Sequence, residues 1–194
     1  MLRTWEVRWF FRSDPAPVRR LGLADLESVG WRRDWYAAPV NPACGIKIRE
    51  GQLQPKLRVR NPGELSLGPV RGKVEQWEKW SLALPEDEAP EAALLAATGW
   101  VAVDKRRRLR FFRRGNDGLE VVGEAEWAHC QLEWAEVRTG GEHWWTLGLE
   151  AAGEDGGRRA LEAVAAHALE PGDIAGSINA ACSLSYPAWL AECS

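Results

Sequence analysis

The chain has 194 residues and a formal net charge of −3, the size of one domain able to bury a core without disulfides or structural metals. Its cysteines, Cys44, Cys130, Cys182 and Cys193, show no close metal-type pairing, and no apolar run reaches the length of a membrane span. This points away from a cysteine-held metal site and from a helical membrane protein, and scattered cysteines without a secretion signal lead to the expectation of a cytoplasmic location.

Arg3 to Arg12 alternates Trp5, Val7, Trp9 and Phe11 against Thr4, Glu6, Arg8 and Phe10. A two-residue period predicts a strand with one apolar face. The opening MLRTWEVRWFF is therefore read as a strand and not as a signal peptide. Leu21 to Val29 is expected to form a short helix stopped by Gly30, and Trp31 to Ala38 a second strand. A turn at Asn41-Pro42 leads to a hairpin from Gly45 to Arg60. There Ile46 and Ile48 alternate with Lys47 and Arg49, and Leu57 and Val59 alternate with Lys56, Arg58 and Arg60.

Asn61-Pro62-Gly63 reads as a loop. Val70 to Leu84 predicts a strand whose imperfect alternation leaves open whether Glu75 or Glu78 shares a face with the Lys/Arg ladder. A helix from about Pro90 to Ala97, with Gly99 as its stop, precedes a strand from Trp100 to Phe112. Leu119 to Trp127, Cys130 to Arg138 and Trp144 to Ala151 are three more predicted strands. Leu161, Val164, Ala165 and Ala168 form a helical stripe, and a weaker helical stretch follows Pro171-Gly172.

Strands in mostly hairpin order, with helices inserted and appended, predict an α+β fold. Its centre is an antiparallel sheet closed into a barrel or tunnel, in one domain spanning 1–194 with C-terminal helices from about 158. If the helices cover the apolar exterior, the charged faces line a wet interior. Like charges packed on one strand face repel, so the ladder needs either solvent or an anion among its cations. Charge is unevenly spread: residues 1–114 carry 22 Lys and Arg against 14 Asp and Glu, and residues 115–194 carry 3 against 14. That split fits a cation wall and a carboxylate wall of one cavity, or two differently charged outer surfaces.

The run KRRRLRFFRR suggests a nucleic-acid patch. Alternation divides it, however, with Lys105, Arg107 and Arg113 on one face and Arg106, Arg108 and Arg110 on the other. The second set is expected on the solvated surface, and nucleic acid is disfavoured as a partner. The three histidines lack metal-ligand spacing, and the twelve tryptophans show no repeat.

Several segments, in order, resemble the CYTH domain, the triphosphate tunnel metalloenzyme family. They are GQLQPKLRVR with Lys56 and Arg58, LLAATGWVAVDKRRRLRFF with Lys105 and Arg107, CQLEWAEV followed by GGEHWWTLGLEAAG, and SLSYPAWL with Ser185, Tyr186 and Leu190. The resemblance implies an eight-stranded antiparallel tunnel in which basic residues hold a triphosphate and glutamates hold Mg²⁺ or Mn²⁺. It assigns phosphate contacts to Lys56, Arg58, Lys105 and Arg107, with Arg60, Lys47 and Arg49 as a second tier. The implied metal acids are Glu6, Glu133, Glu150 and Glu78, with Glu75 as the alternative to Glu78.

Two departures weaken the metal half. WEVRWF supplies Glu6, Arg8 and Phe10 where the family has Glu-x-Glu-x-Lys, so Arg8 is read as replacing a metal's positive charge. Gly148-Leu149-Glu150 stands where Glu-x-Glu is expected. The expected function is binding of a triphosphate, polyphosphate or nucleotide anion, with weak or lost metal-dependent hydrolysis. The alternatives are an active Mg²⁺- or Mn²⁺-dependent triphosphatase, and a structural or partner-binding module whose tunnel is filled by its own salt bridges.

Overall fold

The computed structural model describes residues 1–14, 23, 26–38, 41–85, 90–115, 118–123, 129–154, 156–169 and 178–193. Among these residues ten strands form one sheet. They are β1 (Leu2–Phe11), β2 (Val29–Ala37), β3 (Cys44–Arg49), β4 (Gln52–Leu67), β5 (Val70–Lys79), β6 (Leu82–Ala83), β7 (Trp100–Gly115), β8 (Gly118–Val122), β9 (Cys130–Thr139) and β10 (Glu142–Ala152). Among the described residues three α-helices accompany them: α1 (Ala92–Ala97), α2 (Gly157–Ala168) and α3 (Tyr186–Cys193).

The spatial order is β2-β3-β4-β5-β1-β10-β9-β7, and β7 pairs back onto β2. Eight antiparallel strands thus close into a barrel, as the alternation predicts. The short β6 hangs from β4, and β8 from β7. A barrel of eight strands leaves an interior wide enough for packed side chains or one small ligand.

Several boundaries differ from the sequence reading. Of the helix expected from Leu21 to Val29, residues 21–22 and 24–25 lie outside the described residues; Leu23 and Leu26 to Ser28 are not helical, and Val29 opens β2. The expected loop at Asn61-Pro62-Gly63 is absorbed into β4. Register shifts between Arg58 and Arg60, and between Arg60 and Gly63, take up the extra residues, and Gly63 accepts a φ of 111°. The strand expected from Val70 to Leu84 stops at Lys79. The strand read to Trp127 stops at Val122, and residues 124–128 lie outside the described set, as does the Pro171-Gly172 break.

The two faces of β1 explain the layering. Trp5, Val7, Trp9 and Phe11 point outward and pack with Leu132, Leu147 and Leu149 beneath Leu161, Val164 and Ala165 of α2. Thr4, Glu6, Arg8 and Phe10 therefore point inward. At one end of the interior the inward residues turn apolar. Phe10, Tyr36, Val103, Ala135 and Val137 form a cluster with Tyr186, Trp189 and Leu190 of α3. Phe10 stacks on Trp189 with ring centroids 4.7 Å apart. Helix α3 is thus a plug, and beyond it the barrel interior is polar.

Candidate functional site

Register brings three acids side by side. Glu6 lies opposite Glu150 on β10 and opposite Glu75 on β5. Such a row is unfavourable unless cations are interleaved. Lys79 Nζ lies 2.6 Å from Glu6 Oε1 and 2.7 Å from Glu150 Oε1. Lys56 Nζ lies 3.5 Å from Glu6 Oε2, and Arg58 pairs with Glu75. Burial pushes the Glu6 carboxyl up, but Lys56, Lys79 and Arg8 outweigh it and hold it well below the usual carboxylate range.

The next row has a gap at its centre. Gly148 lies opposite Arg8 on one side and Glu133 on the other. The Arg8 guanidinium crosses above Gly148, and its Nη1 donates to Glu133 Oε1 at 2.7 Å and to Thr146 Oγ1 at 2.9 Å. A Cβ at position 148 would lie 2.6 Å from the Arg8 Cζ. Arg8 therefore occupies the room that a side chain at 148 needs. Arg107 approaches the other oxygen of Glu133 at 3.3 Å. Burial raises the Glu133 carboxyl, yet Arg8, Arg107 and Lys105 bring it down to about 2.

A third cluster centres on Asp34, which is fully buried. Arg32 Nε lies 2.8 Å from its Oδ1, while Lys105 Nζ and Lys47 Nζ lie 3.2 Å and 3.8 Å from its Oδ2. Lys105 also donates to the Tyr36 hydroxyl at 2.7 Å and sits over the Tyr186 ring at 3.6 Å from the centroid. Lys47 fares worse. Burial, together with Lys105, Arg49 and Lys79, outweighs Asp34 and pushes the Lys47 ammonium well below the usual lysine value. Burial also lowers Lys56, against the pull of Glu6.

These clusters enclose a cavity of about 320 Å³, within the size range of small-molecule sites. Eight cationic side chains line it: Arg8, Arg32, Lys47, Arg49, Lys56, Lys79, Lys105 and Arg107. Facing them are Glu6, Glu133 and Glu150, with Asp34 buried behind. With every lining Lys and Arg charged, this is an excess of four positive charges over these four carboxylates among the described residues. Arg49 pairs with Glu50, which is largely exposed and adds little in water.

Of the phosphate-contact residues read from the sequence, Lys47, Arg49, Lys56, Lys105, Arg107 and Arg8 line the cavity. Arg58 points inward but is paired with Glu75 away from the lining. Arg60 is a correction. The β4 register shift sets it opposite Gln76, a residue of the outer face, and it is exposed. Glu78 is a second correction: it lies opposite Arg3 and pairs with it outside the barrel, whereas Glu75 points inward. Arg106 and Arg108 meet Glu136 on the outer face, and Arg113 pairs with Glu120 away from the cavity. Sequence reasoning missed Arg32, Asp34, Tyr36 and Lys79.

No family model matches the chain, and no curated protein matches it. Among solved structures, the PH1819 protein of Pyrococcus horikoshii OT3 aligns at 14% identity with a TM-score of 0.45, covering 97% of this chain and 99% of its own. HpAC1 of Hippeastrum, an adenylyl cyclase candidate described with a dominant triphosphatase activity, aligns at 13% identity and a TM-score of 0.37 over 88% of this chain and 89% of its own. An adenylate cyclase candidate of Bacillus halodurans, bh2851, aligns at 11% and 0.39 over 90% and 97%. With TM-scores below 0.5, these likenesses carry no functional conclusion for this chain.

The acids present do not fit a divalent ion. Such an ion needs several oxygens, mostly carboxylate. Glu6 and Glu150 are bridged by the Lys79 ammonium, and Glu133 is shared by Arg8 and Arg107. Among the described residues no group of three or more His, Cys, Asp or Glu is arranged to hold a metal. A divalent ion about 4 Å from Lys79 or Arg8 would meet roughly 8 kcal/mol of repulsion from each, at an effective dielectric constant of about 20.

Proposed function

We propose that the barrel binds a compact polyanion of the triphosphate class and holds it by side-chain cations. The observation that carries this reading is the four-charge excess gathered on the walls of one barrel cavity. Cations that share too few carboxylates are costly to bury, and burial with like-charged neighbours lowers the proton affinity of Lys47 and Lys56 despite Asp34 and Glu6. A triphosphate monoester carries roughly −4, counting one charge per phosphate and a second terminal ionisation near pH 6. That charge matches the excess, and charge-assisted N–H···O bonds to phosphate oxygens are strong.

The reading contains binding and no hydrolytic step, because Glu6, Glu133 and Glu150 are each tied to a cation. It is favoured over a self-filled structural tunnel because the internal pairs share four carboxylates among seven cations, and the eighth, Arg49, meets only the exposed Glu50.

Titration calorimetry with sodium tripolyphosphate tests it. At a hundredfold excess over the dissociation constant, the ligand is expected to stabilise the protein by about 2.7 kcal/mol, a rise in Tm of roughly 5–10 °C. Binding is also expected to take up protons in alkaline solution. Below pH 10.5 but above its own depressed value, Lys47 is neutral in the free protein, and an adjacent anion favours its charged form. The observed heat should therefore vary with the ionisation enthalpy of the buffer. A protein with unchanged Tm and no binding heat would overturn the reading.

A further inference from the structure

We infer that the cavity takes its polyanion as the free anion, stripped of divalent metal, because the protein's own fixed cations stand where a shared metal would have to be. This inference rests on the polyanion reading above. Arg8 and Lys79 are the cations concerned. Arg8 is anchored through its Nη1, which donates to both Glu133 and Thr146, and its position is made possible by the missing side chain at Gly148. Lys79 is anchored between two carboxylates on neighbouring strands. Both are held on barrel strands, so they stay in place whether a guest is present or not.

A metal-bound triphosphate brings a divalent cation with it. Two consequences follow from charge alone. The complex carries two fewer negative charges than the free anion, so it no longer balances the four-charge excess. Its metal also lacks a carboxylate to share, since Glu6, Glu133 and Glu150 are already engaged and Arg8 and Lys79 repel it. The cavity therefore selects against the form of the ligand that predominates when Mg²⁺ is abundant.

The test is calorimetric titration of the unmodified protein with sodium tripolyphosphate under three conditions at one ionic strength, adjusted with sodium chloride. These are a metal-free buffer, the same buffer with EDTA, and a buffer with Mg²⁺ in excess over the ligand. The expected result is equal affinity in the first two and an apparent affinity at least tenfold weaker in the third. Binding that requires Mg²⁺, or that is indifferent to it, overturns the inference while leaving polyanion binding intact. Failure to bind in all three conditions instead overturns the polyanion reading on which the inference rests.

Discussion

Asp34→Asn is expected to destabilise the protein by about 3–5 kcal/mol, the usual effect of removing one partner from a buried ion cluster. For a chain of this size that lowers Tm by roughly 6–20 °C. The substitution keeps the shape of the side chain and removes its charge, so packing is not the variable. What it leaves behind is Arg32, Lys47 and Lys105 around a neutral amide, with Lys105 nearly fully buried. Lys105 retains the Tyr36 hydroxyl and the Tyr186 ring, neither of which carries a compensating charge. Tripolyphosphate should recover more degrees in this variant than in the unmodified protein, because the guest then supplies the missing negative charge. Thermal melts of both proteins, with and without ligand, decide the matter; a variant within 1 kcal/mol of the parent would refute the role given to Asp34. The acid response follows the same logic. Burial raises the Asp34 carboxyl, but Lys105, Lys47 and Arg32 hold it well below its ordinary 3.8. Its contribution is thus complete above that value and is lost as pH falls toward the depressed one.

Lys47→Met is expected to move stability and binding in opposite directions. In the free protein the charged form of Lys47 is disfavoured by burial and by Lys105, Arg49 and Lys79. Arg32 and Lys105 still compensate Asp34 when Lys47 is gone, so removing a charge that its surroundings disfavour is expected to leave stability unchanged or raised. The same change removes a donor from the cavity wall. A hydrogen bond to a charged group contributes about 1.5–3 kcal/mol, so tripolyphosphate should bind tenfold to over a hundredfold more weakly. Melting and calorimetry on one preparation report both halves. A Tm well below the parent's would refute the stability half, and an unchanged affinity for tripolyphosphate would exclude the binding role.

Much of this architecture is written in the period-two alternation. β1 shows its outward Trp5, Val7, Trp9 and inward Glu6, Arg8 without any partner strand. The same alternation places Lys47, Arg49, Lys56, Lys105 and Arg107 on single faces, and all five line the cavity. It fails where both faces carry similar chemistry. In β5, Glu75, Trp77 and Lys79 point inward while Gln76 and Glu78 point outward. Glu and polar groups occur in both sets, so only the register against β1 decides between them, and Lys79 was lost with that ambiguity. In β2 the inward Arg32, Asp34 and Tyr36 alternate with Arg33 and Trp35, which again gives charge and aromatic character on both sides. Arg60 failed for another reason. Its parity matches Lys56 and Arg58, but a bulge breaks the parity between Arg58 and Arg60, and local sequence gives no warning of a bulge position.

Ring closure also governs how the molecule can be made. Thr4 finds Ala152 and Phe11 finds Trp145, so β1 waits for β10, the last of the described strands to be synthesised. During that wait the indoles of Trp5 and Trp9 have no cover from α2, and the emerging chain presents a sticky ribbon to its surroundings. Pairings this distant in sequence are slow to form. Production in a host should therefore reward low temperature and chaperone supply more than any change to the finished core.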